Sequence, residues 1–235
     1  MSLLEVIALD AADARAAEEG GADRLEVVAD MAADGLTPDP DLVAGVRAVT
    51  TLPIRVMLRA NAGFRTTIPE LDRLRRVAGL HRDAGADGFV LGFLDPLGGI
   101  DTGATGKLAA ALAPLPWTFH RALDHAADPP PAWRTVRDLD GGPDTVLTAG
   151  SPRGVDAGVD VLVRRAAEGP RSAGLLMAGG GLRRKHVAVL AAAGITAFHV
   201  GTAVRPDGSW DAPVDPRLVR EWRALVVAAT GSGAR

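Results

Sequence analysis

Short apolar runs alternate with amphipathic ones from end to end of the chain. The apolar runs are Leu3–Leu9, Arg24–Ala29, Pro53–Arg59, Gly88–Leu94, Pro116–Leu123, Thr145–Gly150, Gly174–Gly180 and Ala197–Ala203. Their starts advance by 21, 29, 35, 28, 29, 29 and 23 residues. That spacing fits one strand, one helix and two short loops. Near-continuous apolar strands are expected where both faces of a parallel sheet are covered.

The intervening segments carry helical periodicity. Leu71, Leu74, Val77, Ala78 and Leu80 form one apolar stripe, with Arg73, Arg75 and Arg76 on the opposite face. Val159, Leu162, Val163 and Ala166 form another. Asp39 and Asp215 stand where helix N-caps are expected. Gly20-Gly21, Gly85 and Gly194 stand where a left-handed residue ends a helix. Pro129-Pro130-Pro131 opens a further helix, and Thr230–Arg235 reads as a frayed tail. Eight near-regular repeats, with no Rossmann glycine fingerprint in the first turn at Leu9-Asp10-Ala11, favour an eight-stranded parallel (βα)8 barrel over an open sheet. The reading is one domain over residues 1–235.

Composition narrows the function. The 235 residues carry a formal net charge of −3 and no basic block, which argues against nucleic-acid and membrane-surface binding. No cysteine occurs, so there is no disulfide and no thiolate ligand, in keeping with a cytoplasmic protein. With aromatic content at 4%, aliphatic side chains must do most of the packing.

A barrel interior is normally filled by branched aliphatics, yet these strands carry Glu5, Glu26, Arg55, Arg59, His120, Arg121 and His199. Such groups must pair with one another or line a wet mouth. Glu5 and Glu26 are expected to accept from Arg55 or Arg59. His120, Arg121 and Asp124 lie close enough in sequence to supply a proton shuttle, an anion clamp and an orienting carboxylate. Glycines after the seventh and eighth runs (Gly179, Gly180, Gly181; Gly201 with Thr202), joined by Gly150, are candidates for holding a phosphate or carboxylate through backbone N–H groups. Ser151 and Arg183 stand nearby as further donors. His81 and His186 are expected to face solvent, and Trp133 and Trp222 to anchor the core.

Five segments together resemble the CutC family, known as copper homeostasis proteins: Gly21-Ala22-Asp23-Arg24-Leu25-Glu26, Gly35-Leu36-Thr37-Pro38, Phe119-His120-Arg121-Ala122-Leu123-Asp124, Val146-Leu147-Thr148-Ala149-Gly150 and Met177-Ala178-Gly179-Gly180-Gly181. The resemblance implies a TIM-like barrel, a cytoplasmic location, a homo-oligomer, copper as the associated metal, and a shared pocket containing Glu26, Arg59, His120, Arg121 and Asp124. The chain departs from that pattern in having Val28 where relatives often carry a cysteine, and in a third-strand loop reduced to Ala60-Asn61-Ala62-Gly63-Phe64. Cu(I) prefers thiolate and thioether ligands; His120 and His199 are the imidazoles on hand for Cu(II).

Two functions therefore compete: copper handling, and lyase- or isomerase-like acid–base chemistry on a small anionic metabolite. In the second, His120 is the acid/base, Asp124 orients it, and Arg59 or Arg121 clamps negative charge.

Overall fold

The computed structural model describes residues 2–231. Eight strands close into a parallel barrel in sequence order: β1 (Leu3–Ala8), β2 (Arg24–Val27), β3 (Ile54–Met57), β4 (Gly88–Leu91), β5 (Trp117–Phe119), β6 (Thr145–Thr148), β7 (Leu176–Ala178) and β8 (Ala197–Val200). β8 pairs with β1 and closes the ring. Each apolar run contains one strand, but the strands stop earlier than the runs. Their last residues leave the ladder to form the mouth. Arg121 and Leu123 lie in a 3-10 turn, Arg121–His125, and not in β5. Gly174 lies in a helix and not in β7.

The helices are α1 (Ala11–Gly20), α2 (Pro40–Arg47), α3 (Ile68–Asp83), α4 (Thr102–Leu112), α5 (Pro129–Arg137), α6 (Val155–Ala166), α7 (Pro170–Leu175), α8 (Arg184–Ala192) and α9 (Pro216–Gly231). Their ends follow local chemistry. The Asp39 side chain caps α2 ahead of Pro40, and Thr67 with Glu70 forms a capping box on α3. The Asp215 side chain accepts from the Arg217 N–H at the start of α9. Gly21, Gly85 and Gly194 all take positive φ after α1, α3 and α8. α9 runs through Thr230 and Gly231, so the tail expected from residue 230 does not begin there; residues 232–235 lie outside the described ones. Among the described residues no helix is long and apolar enough to cross a membrane.

Side-chain alternation splits the strands between two environments. Leu4, Val6, Leu25, Val27, Ile54, Val56, Phe89, Phe119 and Phe198 pack outward into the core beneath the helices, where Trp133 and Trp222 are also buried. The alternate positions point inward: Glu5 and Ile7, Glu26 and Val28, Arg55 and Met57, Thr118 and His120. The interior is therefore a mixed polar column topped by a small apolar cluster of Ile7, Val28, Met57 and Val90.

His81 and His186 are buried, contrary to the solvent-facing expectation. His81 extends the Leu74–Ala78 stripe of α3 and donates from Nε2 to the Pro38 carbonyl at 3.0 Å. His186 accepts the Arg183 N–H at Nδ1 and meets Asp156 at 2.9 Å. In both cases one ring nitrogen ties a helix to a neighbouring segment, which makes a buried imidazole affordable.

α6 presses directly on the end of β6. A Cβ on Gly158 would lie 1.9 Å from the Ala149 carbonyl oxygen. Gly158→Ala is expected to lower stability by about 2–3 kcal/mol in urea unfolding. Gly106→Ala, in an open position on α4, is expected to raise it by about 0.5–1 kcal/mol.

Candidate active site

The register of the ring's seam brings charges together. Glu5 on β1 is level with Arg24 on β2 and with His199 on β8, and Glu26 is level with Ile7 one step nearer the mouth. Arg24 Nε donates to Glu5 Oε2 at 2.5 Å, and His199 Nδ1 donates to Glu5 Oε1 at 2.8 Å. His199 Nε2 stands 3.7 Å from Glu26 Oε2. This corrects the expected partners of the two glutamates. Arg55 instead makes a two-pronged pair with Asp144, at 3.0 and 2.6 Å, and Arg59 turns to backbone carbonyls.

The ladder polarises its members differently. Burial alone would raise Glu5, but Arg24 and His199 hold it down at about 2. Burial raises Glu26 to about 7, with the Glu5 charge adding to it and His199 and Arg24 opposing. Burial opposes a charge on His199, yet Glu26 and Glu5 raise it above the ordinary imidazole value. Glu26 Oε1 is buried without a hydrogen-bond partner.

Arg59 follows β3 and serves as a staple between two loops of the mouth. Its Nη1 donates to the carbonyls of Ala33, Asp34 and Gly35 at 2.9, 3.1 and 3.2 Å, its Nε to Gly63 at 3.2 Å, and its Nη2 to Ala62. Its guanidinium also covers the Phe64 ring at 4.5 Å. Most of its donors are spent on this, so Arg59 is a positioning residue first and an anion clamp only with what remains.

The His120–Asp124 segment divides its labour in a way the sequence does not reveal. His120 Nδ1 accepts the Ala122 N–H at 3.2 Å. A neutral ring accepting at Nδ1 carries its proton on Nε2. Burial, then the nearby Arg59, lowers its pKa to about 3, so the ring is neutral. Nε2 is buried and unpartnered. Asp124 makes no hydrogen bond to His120. It accepts from Thr148 Oγ1 at 2.5 Å, from the Ala149 and Gly150 N–H groups at 2.8 and 3.1 Å, and from Arg121 Nε at 3.0 Å. The carboxylate therefore pins the end of β6 and Arg121, and the orienting role expected for it is overturned. The Arg121 guanidinium lines the mouth beside Gly180, with Nε given to Asp124 and Nη2 3.5 Å from the Pro152 carbonyl.

The glycine candidates separate into two sets. Gly150 donates to Asp124 and Thr148, and Gly179 donates to the Thr148 carbonyl, so neither offers a free N–H. Gly179 is required sterically: a Cβ there would fall 2.8 Å from His199 Cβ. Ser151, which accepts from the Arg153 N–H, and Arg183, which pairs with Asp156, do not line the mouth. Gly180, Gly181, Gly201 and Thr202 do line the mouth. Among the described residues, no protein acceptor takes the N–H of any of these four. Gly180 has φ +86°, and a Cβ on it would meet Arg121 Nε at 2.6 Å, so arginine and backbone approach closely only because it is glycine.

These parts surround one bowl of about 270 Å³. Glu26, His120 and His199 line it with Arg59 and Arg121, the four free amides form one rim, and Trp210, Phe64, Met31 and Met57 supply apolar wall. Trp210, Arg24 and Thr148 were not singled out from sequence. Arg24 was detectable only through its register with Glu5. Trp210, from the loop after β8, covers Gly201 so closely that a Cβ there would fall 2.4 Å from its ring. Among the described residues, no three His, Cys, Asp or Glu side chains gather in a metal-ligating group, although His120 and His199 share the bowl.

The CutC family profile matches residues 2–204. A CutC family protein of Klebsiella pneumoniae is 36% identical over 200 residues, covering 85% of this chain and 79% of the relative. One from Salmonella typhi is 33% identical over 205 residues, covering 87% and 78%. Among solved structures, the CutC protein of Streptococcus agalactiae, whose name associates it with copper homeostasis, superposes with a TM-score of 0.74 at 23% identity, covering 86% of this chain and 98% of that one. Phosphoribosyl anthranilate isomerase of Thermococcus kodakaraensis shares the fold with a TM-score of 0.62 at 16% identity, covering 96% and 99%.

The upward displacement of Glu26 has a sign that can be checked. Its ordinary value is 4.5 and its folded value about 7. The native state thus favours the protonated carboxyl, a preference fully present below 4.5 and lost as pH rises through 7. Glu26→Gln, which mimics the neutral form, is expected to stabilise the protein more at pH 8 than at pH 5, by roughly 1–3 kcal/mol, in urea unfolding at the two pH values.

Proposed function

The chain belongs to the CutC family, and on that premise we propose that its barrel mouth is a site for a small metabolite bearing a phosphate or carboxylate, on which the protein performs acid–base chemistry. The observation that carries this reading is that four residues with unspent backbone N–H groups, Gly180, Gly181, Gly201 and Thr202, line the same bowl as Glu26 and the neutral His120. An oxyanion satisfies several such donors at once, and the Arg121 edge beside Gly180 adds charge. Fold likeness to enzymes of phosphorylated substrates carries no weight by itself; the residues carry the reading. The apolar wall of Trp210, Phe64, Met31 and Met57 suits the body of an organic ligand better than a free inorganic ion. In keeping with the absence of cysteine, the reading assigns the protein to the cytoplasm.

Copper, which the name of relatives brings to mind, does not fit the donors present. The chain has no thiolate to offer a cuprous ion, and the soft donors on the bowl are the thioethers of Met31 and Met57 alone. His199 spends Nδ1 on Glu5 and has Glu26 Oε2 3.7 Å from its Nε2, and His120 has its Nδ1 occupied by the Ala122 N–H. No step of the chemistry is therefore routed through a metal.

Two measurements test the proposal. Inorganic phosphate, sulfate and citrate, each titrated against sodium chloride at matched ionic strength, are expected to raise the melting temperature. Saturation at 100 times Kd corresponds to about 2.7 kcal/mol, a shift of roughly 5–11 °C for a domain of this size. Arg121→Lys is expected to weaken the response. No shift with any of the three anions would remove the reading. Titration with Cu(I) and Cu(II) is expected to show no binding tighter than about millimolar, about 4 kcal/mol; stoichiometric tight binding would restore copper as the ligand.

A further inference from the structure

The floor of the bowl carries a donor and an acceptor that the protein leaves unused. His120 Nε2 and Glu26 Oε1 are each buried and unpartnered, and both residues line the same cavity. A buried polar atom left unmade costs about 1–3 kcal/mol. Two such atoms on one cavity floor, beneath a rim of free amides, are a feature a binding partner would satisfy.

Their chemical states are fixed by their neighbours. The Ala122 N–H occupies His120 Nδ1, so the proton stands on Nε2 and that atom is a neutral N–H donor. Glu26 can only be an acceptor or a proton carrier. Three charged groups face it: Glu5 from β1, His199 from β8 and Arg24 from its own strand. His199, whose Nε2 lies 3.7 Å from Oε2 and whose proton affinity the two glutamates raise, favours the ionised carboxylate without hydrogen-bonding it, leaving Oε1 to act. Burial places the carboxyl's proton affinity near neutrality, where a general base is most effective. A neutral imidazole donor opposite a carboxylate base is a pairing suited to enolisation. The chain's two lysines, Lys107 on α4 and Lys185 on α8 paired with Asp156 of α6, both lie off the bowl, so imine formation with a lysine is not the route to a carbanion.

We propose that Glu26 and His120 make the bowl an enolising site for an anionic carbonyl compound, with the phosphate or carboxylate end on the Gly180–Gly181 and Gly201–Thr202 amides. The inference rests on the anion reading above for its rim but on separate residues for its chemistry. Glu26 removes the proton from the carbon next to the carbonyl. The C–H electron pair becomes the new C=C bond, and the carbonyl π pair moves onto oxygen, where the His120 Nε2–H holds the enolate. Where the deprotonated carbon carries a hydroxyl, return of the proton from Glu26 to the former carbonyl carbon, with transfer of that hydroxyl's proton to the former carbonyl oxygen, gives an isomer. Return to the original carbon restores the substrate. No oxidant, reductant or second substrate enters.

The test is wash-in of solvent deuterium followed by proton NMR, on the full chain in D2O. Dihydroxyacetone phosphate, ribulose phosphate and oxaloacetate serve as probes, and each is also run in the thermal-shift assay. The wild type is expected to exchange the proton beside the carbonyl of at least one probe, at a rate that rises with pH and levels off above about 7. Glu26→Gln is expected to lower that rate about 10³-fold and His120→Gln about 10²-fold. Glu26→Asp is expected to retain a measurable fraction. Urea midpoints establish that each variant folds; should Glu26→Gln not fold, the wild-type and Glu26→Asp pH profiles decide. Probes that raise the melting temperature but exchange no faster than without protein would overturn the enolising assignment and leave the anion site standing. Exchange unchanged in folded Glu26→Gln would overturn Glu26 as the base. Glu26-dependent exchange with no response to inorganic phosphate would uphold the enolising pair and discard the rim.

Discussion

The Glu5 carboxylate, held between Arg24 and His199, is the contact on which the interior is built. Glu5 stands near the start of the chain and His199 near its end, and they meet only because β8 pairs with β1. Closing the ring and neutralising the buried charge are thus one event. Taking one member away would leave the others charged in a dry column, a loss on the order of 3–5 kcal/mol. Arg55 with Asp144 repeats the logic nearer the bottom of the barrel, and Arg205 with Asp13, at 2.5 Å, repeats it between the loop after β8 and the first turn of α1.

Because the column is settled by these pairs, the mouth can be arranged by other means. Arg59 binds the loops after β2 and β3 through their carbonyls, and Asp124 binds the end of β6 through its amides. The two are complementary uses of one charge each: a cation collecting acceptors, an anion collecting donors. What they leave free is informative. The amides of Gly180, Gly181, Gly201 and Thr202 in the β7 and β8 loops have no such collector, and these residues line the bowl. A rigid rim with open donors costs little reorganisation when a ligand arrives.

The architecture was readable from sequence because a parallel barrel writes it twice, once in the spacing of apolar runs and once in the glycines that end α1, α3 and α8. Membership of one bowl was also readable for Glu26, Arg59, His120 and Arg121, since each is an ionisable group at or just past a strand position. Partnership was not. Whether Glu5 meets Arg24 or Arg55 depends on strand register, and short buried strands do not encode register in their composition. The proximity of His120 and Asp124 in sequence suggested a couple, but the 3-10 turn after β5 points one into the bowl and the other into the backbone of β6. His81 looked exposed because a histidine at the edge of an apolar stripe reads the same whether or not a carbonyl such as that of Pro38 waits opposite it.

One physical cause, burial, acts on the two floor residues in opposite directions and makes them a matched pair. It raises the acid, bringing Glu26 to about 7, and lowers the base, bringing His120 to about 3. An exposed His120 would titrate near neutrality and share its proton with water; the buried one stays a fixed neutral donor across the range in which Glu26 gains and loses its own. The difference between them is set by neighbours. Arg59, packed on Phe64 beside the imidazole, discourages a second positive charge, whereas His199 admits a negative one on Glu26. The residues that staple the loops and fill the column therefore also fix the protonation of the floor, and the bowl's chemistry follows from the same pairing of charges that closes the barrel.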